Sequence, residues 1–284
     1  MILITGATGK TGTHLAKQLA ASGRKVRALV RTADKASALS AAGVSIAAGN
    51  GDSPTDVAAA LKGVSSAVLI YPNAEHQLAL EKLFVDQAVA AGVKHIVKLS
   101  SPEALEHMKN PVHQTHYRSE QYIKKSGLAW TMVRPNFFMQ NFLGNAATIK
   151  SEGKFYLPMG DGRAAMTDTR DAAAVIAQVL TTPGHEGKSY DITGPAVLSF
   201  ADVAGIFSKV LGKPVTYVNQ DAAAYKEFLG KYLKSSWHND AVCDIFREIR
   251  EGYFMPTTNT FQELMGREPI SFEQFVRDYQ AAFS

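Results

Sequence analysis

Along the first half of the chain, short apolar runs of strand length alternate with longer stretches of helical period. Ile2–Ile4 leads into a glycine-rich turn, then into a stretch that puts Leu15 and Leu19 on one helical face and stops at Ser22-Gly23, a C-terminal signal. Val26–Val30 and Val44–Ala47 read as the next two strands. Ser53-Pro54 with Asp56 then supplies a cap, a first-turn proline and an early acid for a helix that ends near Gly63. Ala67–Ile70, His95–Leu99 and Trp130–Val133 continue the strands, separated by helices over Leu78–Ala91 and Thr115–Lys125. This rhythm predicts an α/β fold built on a doubly wound parallel sheet.

Past Arg134-Pro135 the pattern changes. Phe137, Phe138, Phe142, Phe155 and Tyr156 crowd a segment with several glycines and no clear period, which reads as a substrate-side insertion. Regularity returns with a helix near Asp171–Leu180 and a strand near Ser189–Ile192, and Ser199-Phe200-Ala201-Asp202 opens another helix with a capping-type start. The rest is expected to be mainly helical. No repeat, low-complexity tract or flexible linker interrupts the chain, so a second, smaller domain is expected to be interleaved with the first.

Composition narrows the class. The 284 residues are 46% hydrophobic and 20% charged, an ordinary globular balance. Cys243 is the sole cysteine, which excludes an internal disulfide and a thiolate metal cluster and fits a reducing compartment; it is expected to be a buried small residue. No apolar run approaches membrane-spanning length and the N-terminus reads as lacking a leader, so a cytoplasmic protein without a membrane partner is expected. Thirty Lys and Arg against 26 Asp and Glu leave a net charge of +4, spread along the chain, with Lys124-Lys125 an isolated pair. Without a basic patch, no nucleic-acid partner is expected.

The chemistry begins at Thr5-Gly6-Ala7-Thr8-Gly9-Lys10-Thr11-Gly12, directly after the first strand and leading into the first helix. Gly6 suits a tight turn, Gly9 removes a side chain where a pyrophosphate must approach the backbone, and Gly12 permits close helix–strand packing. The phosphates would rest on unsatisfied amides at the helix N-terminus. Thr5, Thr8, Lys10 and Thr11 belong to the same candidate cofactor loop. Gly9-Lys10-Thr11 also mimics the end of an ATP-binding loop, but that motif needs a glycine where Ile4 stands. An NAD enzyme places an acid at the end of the second strand; here Arg31-Thr32 occupies that place and favours the 2′-phosphate of NADP(H), with NAD(H) kept as a second possibility. Tyr71-Pro72, Ser100-Ser101 and Pro135 sit where strands four, five and six end, the edge at which open α/β sheets bind ligands; Tyr71, Pro72, Ser100 and Pro135 are thus further cofactor candidates.

At this point the chain resembles the atypical short-chain dehydrogenase/reductase superfamily, specifically the NmrA-like group with its quinone reductases and triphenylmethane reductase. The likeness runs the whole length. It is carried by Thr5-Gly6-Ala7-Thr8-Gly9-x-x-Gly12, Arg31, the stretch from Val93 to Ser101, Ser126 to Pro135, and Gly160-Asp161-Gly162-Arg163 ahead of Asp171. The resemblance implies a Rossmann domain, residues 1–134 plus about 171–192, that binds NADP(H), and a smaller, mainly helical C-terminal substrate domain, about 135–170 and 193–284. A homo-oligomer is left open.

Many short-chain dehydrogenases rely on Tyr-x-x-x-Lys, whose lysine lowers the tyrosine pKa for proton exchange. That pair is missing: Tyr117 is followed four residues on by Gln121, and Tyr122 by Ser126. His116-Tyr117-Arg118-Ser119-Glu120 instead resembles the His-x-x-x-Glu stretch of the quinone-reductase relatives, and its spacing puts His116 and Glu120 on one helix face. His116, Tyr117 and Glu120 are therefore the candidate catalytic residues; His113 and His116 lack a third ligand, so no metal is expected. The resemblance sets the segment after strand six beside the nicotinamide, where Phe137, Phe138 and Phe142 would stack on a flat substrate and Asn136 and Asn141 would donate hydrogen bonds. A quinone or cationic dye is already electrophilic, so alignment of acceptor and nicotinamide is most of what it needs. The reading is an NADPH-dependent reductase of a quinone-like or other small, planar conjugated molecule. Its rival is a non-catalytic NADP(H) sensor of the NmrA type.

Overall fold

The structure, a computed structural model, describes residues 1–233 and 235–284. In chain order the first elements are β1 (Ile2–Ile4), α1 (Lys10–Ala21), β2 (Val26–Val30), α2 (Ser37–Ser40), β3 (Ser45–Ala48), α3 (Pro54–Leu61), β4 (Ser66–Leu69), α4 (Gln77–Ala90), β5 (His95–Leu99), α5 (Pro111–Lys125) and β6 (Ala129–Pro135). They are followed by α6 (Ala146–Glu152), β7 (Lys154–Leu157), β8 (Arg163–Ala164), α7 (Thr169–Thr181), β9 (Lys188–Ile192), β10 (Leu198–Ser199), α8 (Phe200–Leu211) and β11 (Thr216–Asn219). Five further helices close the chain: α9 (Ala222–Gly230), α10 (Ser236–Arg250), α11 (Thr260–Met265), α12 (Phe272–Asp278) and α13 (Gln280–Phe283). They form two compact units, Met1–Arg134 with Ala172–Asp191, and Pro135–Asp171 with Ile192–Ser284.

The first unit carries a seven-stranded sheet in the order β3-β2-β1-β4-β5-β6-β9. Pairing is parallel from β3 through β6, with Ile4 beside Ala28 and Val68, and Lys98 beside Leu69 and Met132. The chain leaves β1 toward β2 and β3, then crosses back to β4 on the other side, so the order reverses at the carboxyl end of β1. That reversal makes the sheet a Rossmann-like doubly wound one. The central strands β1 and β4 are apolar and buried nearly throughout because helices cover both faces, whereas the edge strands β3 and β9 are largely open. Leu3, Leu69 and Ile96 pack with Val57, Leu61, Phe84 and Ile123 from the helices.

Helix α5 begins four residues earlier than its apolar period suggests. Asn110 caps it by accepting from the Val112 amide at 2.9 Å and Pro111 occupies the first turn, a start signal independent of periodicity.

The second unit is built around phenylalanine. Phe142 lies with its ring centroid 5.5 Å from Phe155, 6.1 Å from Phe200, 5.9 Å from Phe207 and 5.1 Å from Phe272, all buried. It is not wholly helical: β7 pairs in parallel with β11, and β8 antiparallel with β10. These pairings join segments about 60 or 35 residues apart, which no local period reveals. Gly153, at φ +65°, lets the start of β7 approach the chain before β11, where a Cβ would stand 2.6 Å from the Pro214 carbonyl. The Ser199 start of α8 is a full capping box, Ser199 Oγ accepting from the Asp202 amide at 3.0 Å and Asp202 accepting from the Ser199 amide at 2.9 Å. Cys243 is only partly buried. Among the described residues no helix is long and apolar enough to cross a membrane.

Candidate functional site

The glycine loop occupies the reversal point. Thr5 fastens it: its hydroxyl donates to the Ile70 carbonyl at 3.0 Å and accepts from the Ile70 amide at 2.8 Å, tying the end of β1 to the end of β4. Gly6 turns the chain at φ +60°, and a Cβ there would stand 2.6 Å from the Ile70 carbonyl oxygen. Gly9 caps α1 in an extended conformation with no side-chain bond to the helix amides, and it is exposed, as are Thr8 and Lys10. Gly12 and Thr11 are buried. A Cβ on Gly12 would lie 2.2 Å from the Gly6 carbonyl and 2.8 Å from the Ala7 Cα, so Gly12 lets α1 close on the loop itself rather than on the strand. The first turn of a twelve-residue helix thus presents its amides at an exposed rim formed by Thr8, Gly9 and Lys10, the kind of cradle that a dinucleotide diphosphate requires.

Along the same edge, Arg31 follows β2 and is exposed, with no acid at the strand end. Tyr71 and Pro72 follow β4. The Tyr71 hydroxyl is buried and finds no hydrogen-bond partner in the protein; burial, and then the charges of Glu81 and Asp52, raise its pKa well above the ordinary value. Ser100 follows β5, buried, and Pro135 ends β6, also buried.

Helix α5 brings its candidate residues up beside β5. Glu120 is fully buried. It accepts from Ser100 Oγ at 2.7 Å and from the Arg134 fork, Nε at 2.8 Å and Nη2 at 2.5 Å, with Lys124 Nζ at 3.5 Å. A carboxylate so fully engaged orients its neighbours and is poorly placed to trade protons. His116 is buried with Nδ1 lacking a partner; desolvation, then the charges of Lys98 and His113, hold its pKa well below the ordinary imidazole value. Tyr117, next to it, is half-buried.

A buried charge pair that no sequence motif marks ties β5 to α4 and α5. Lys98, in the middle of β5, is completely buried, its ammonium 2.8 Å and 2.7 Å from the two oxygens of Glu81 on α4. Gln77 donates to the same carboxylate at 2.9 Å, and so does Ser119 of α5. The signal was present in the sequence: a lysine inside an apolar strand covered on both faces must find an anion.

The second unit holds the residues expected on the substrate side. The Asn136 side chain is spent within the second unit, donating to the Phe254 carbonyl at 3.1 Å and accepting from the Phe137 amide at 2.7 Å. Phe137 and Phe138 are partly buried and held by backbone contacts with Thr167, while Asn141 is exposed. Phe142, expected to stack on a flat substrate, is only 1% exposed and sits among the core rings, so it has no face to offer a ligand.

Comparison with known proteins gives the family. The NmrA-like family model matches residues 1–264. The chain belongs to the NmrA-like family. Its relatives include an NAD(P)H azoreductase of Xenophilus azovorans, 35% identical over 283 residues that cover all of this chain and 99% of the azoreductase. Among solved structures it is similar to the NADPH-dependent quinone oxidoreductase of Escherichia coli complexed with NADPH, with a TM-score of 0.88 and 27% identity over 99% of this chain and 100% of that one. It is likewise similar to the Citrobacter triphenylmethane reductase complexed with NADP(H), with a TM-score of 0.86 and 27% identity over 98% and 99% of the two chains. This NmrA-like protein therefore matches named reductases end to end.

Proposed function

We propose that this NmrA-like protein is an NADPH-dependent reductase that delivers hydride to a quinone-like or otherwise conjugated small molecule. The observation that carries the reading is the bare glycine cradle at the reversal point of the sheet, with Arg31 instead of an acid ending β2. When bound, NADPH supplies the hydride. The chain's own residues bind and orient. In this reading, amides from the glycine loop and the first turn of α1 hold the diphosphate, Arg31 forms charge-assisted bonds with the 2′-phosphate, and Tyr71, Pro72, Ser100 and Pro135 line the strand ends. His116 and Tyr117 each offer a hydrogen-bond donor to an acceptor oxygen, while Glu120 fixes Arg134 and Ser100. Phe137, Phe138 and Asn141 remain the substrate-side residues; Asn136 serves as scaffold. An acceptor that is already electrophilic needs alignment more than a strong acid, which accords with the absence of Tyr-x-x-x-Lys. The setting proposed is the cytoplasm, with neither nucleic acid nor membrane as partner.

The test is NADPH oxidation followed by absorbance with 1,4-naphthoquinone and an azo dye as acceptors. Acceptor-dependent oxidation, faster with NADPH than with NADH, is expected. Tight NADPH binding with no oxidation above background across both acceptor classes refutes the reductase reading and leaves a sensor.

A further inference from the structure

Just past β5 the hydroxyl protons of two consecutive serines are already taken. Ser100 Oγ donates to Glu120 Oε1 at 2.7 Å, and Ser101 Oγ donates to Glu103. The Ser100 amide is spent as well, donating to the Val133 carbonyl at 2.8 Å. We propose, on the reductase reading above, that Ser100 meets NADPH as a hydrogen-bond acceptor only, receiving an O–H or N–H of the nicotinamide riboside, and that Glu120 is the positioning residue that sets this polarity.

The direction of the Ser100 bond follows from what else holds Glu120. Its oxygens receive the Arg134 fork, Nε on Oε1 at 2.8 Å and Nη2 on Oε2 at 2.5 Å, and its side chain is fully buried. A carboxylate that faces a guanidinium with both oxygens accepts from it and has no proton to give. Arg134 also pairs with Asp191 of β9 at 3.6 Å, which steadies the guanidinium while it grips Glu120. A serine hydroxyl carries one proton and two lone pairs, so with the proton turned to Glu120 only a lone pair is left for a ligand. The sheet decides which part of the dinucleotide that lone pair meets. The order β3-β2-β1-β4-β5-β6-β9 puts Arg31, after β2, on one side of the glycine loop and Ser100 on the other. With the 2′-phosphate at Arg31 and the diphosphate at the loop, the nicotinamide riboside falls toward β4 and β5. Strand β5 is the second from β1, about 10 Å away at the usual strand spacing. That half of the cofactor carries the donors an acceptor-only serine requires, its ribose hydroxyls and its carboxamide N–H. An acceptor oxygen that gains electrons needs a donor, and neither serine hydroxyl has one to give, so that part falls to His116 and Tyr117.

The test is a calorimetric titration of Ser100→Ala, Glu120→Gln and the double variant with NADPH and with its 3-acetylpyridine analogue, which lacks the carboxamide N–H. Ser100→Ala keeps the Glu120–Arg134 pair and should weaken NADPH by about two- to tenfold, the worth of one neutral hydrogen bond. In Glu120→Gln the new amide N–H donates to Ser100, whose own proton then turns to the cofactor and sets donor against donor. NADPH should weaken there at least as much as in Ser100→Ala. In the double variant no hydroxyl is left to turn, so Glu120→Gln should add nothing to the loss from Ser100→Ala. The same comparison is made in an Arg134→Gln background in case the unmatched guanidinium prevents folding. A loss confined to NADPH places the donor on the carboxamide, and an equal loss with the analogue places it on the ribose. Unaltered NADPH affinity in Ser100→Ala overturns the proposal. So does a Glu120→Gln variant that binds NADPH as tightly as the unaltered protein, or whose loss persists in full beside Ser100→Ala, the mark of a merely structural effect. An unaltered protein that reduces no acceptor, with the expected Ser100 losses in NADPH binding, counts against the reductase reading alone.

Discussion

Gly9 and Gly12 stand three residues apart in one loop, and the structure separates what each does. At Gly9 the backbone is extended, with φ −80° and ψ 174°, a conformation open to any residue, and an added Cβ meets only the Gly6 carbonyl at 3.2 Å. Gly9→Val should therefore fold, losing on the order of 1 kcal/mol from a less favourable helix cap, or about 2–4 °C of melting temperature for a protein of this size. Its side chain would stand over the amides that receive the diphosphate. Losing one or two charge-assisted bonds at about 1.5–3 kcal/mol each weakens NADPH by at least about tenfold and up to roughly ten-thousandfold or a little more. At Gly12 the balance reverses. A methyl group 2.2 Å from the Gly6 carbonyl and 2.8 Å from the Ala7 Cα is hemmed in by backbone, so Gly12→Ala should cost about 1–3 kcal/mol of overpacking, offset by about 1 kcal/mol of helix propensity. The assay pairs a fluorescence titration of NADPH with a thermal melt for each variant. Unaltered NADPH affinity in folded Gly9→Val would refute the cradle, and with it the placement of the cofactor.

Further expectations follow from single contacts. Arg31→Glu should weaken NADPH by about ten- to a hundredfold and leave NADH nearly unchanged; equal losses in a binding titration would remove Arg31 from the 2′-phosphate. Phe142→Ala should cost about 3–5 kcal/mol because it empties the centre of the second unit's ring cluster, a loss read by chemical denaturation, and a near-neutral variant would restore Phe142 as a ligand residue. Asp202 has its pKa lowered by the Ser199 hydroxyl and amide, so its contribution is present above the ordinary value of 3.8 and fades as pH falls through the lowered one. Melts of the unaltered protein and Asp202→Ala, from about pH 7 to about pH 3, should therefore converge at the acid end, and a constant gap would refute the capping-box charge.

The strands, most helix ends and the position of the glycine loop were legible in the sequence because they depend on neighbours a few residues away. A run of Val, Ile and Leu covered on both faces, a glycine where φ must be positive, and a serine three residues before an aspartate all carry their cause locally. Distant partners did not show. Nothing near Phe142 tells that Phe155, Phe200, Phe207 and Phe272 enclose it, so a core ring read as a substrate platform. The β7–β11 pairing, the hold of Arg134 on Glu120 and the capture of Lys98 by Glu81 likewise join segments between fourteen and about 60 residues apart. The sequence by itself determined the sheet and where its phosphate-binding turn must fall, since backbone geometry at glycine and the burial of a parallel strand admit few alternatives. Only the tertiary structure decided which charges meet in the interior and which aromatic rings are closed off, because desolvation and packing depend on what the rest of the chain brings to the same volume.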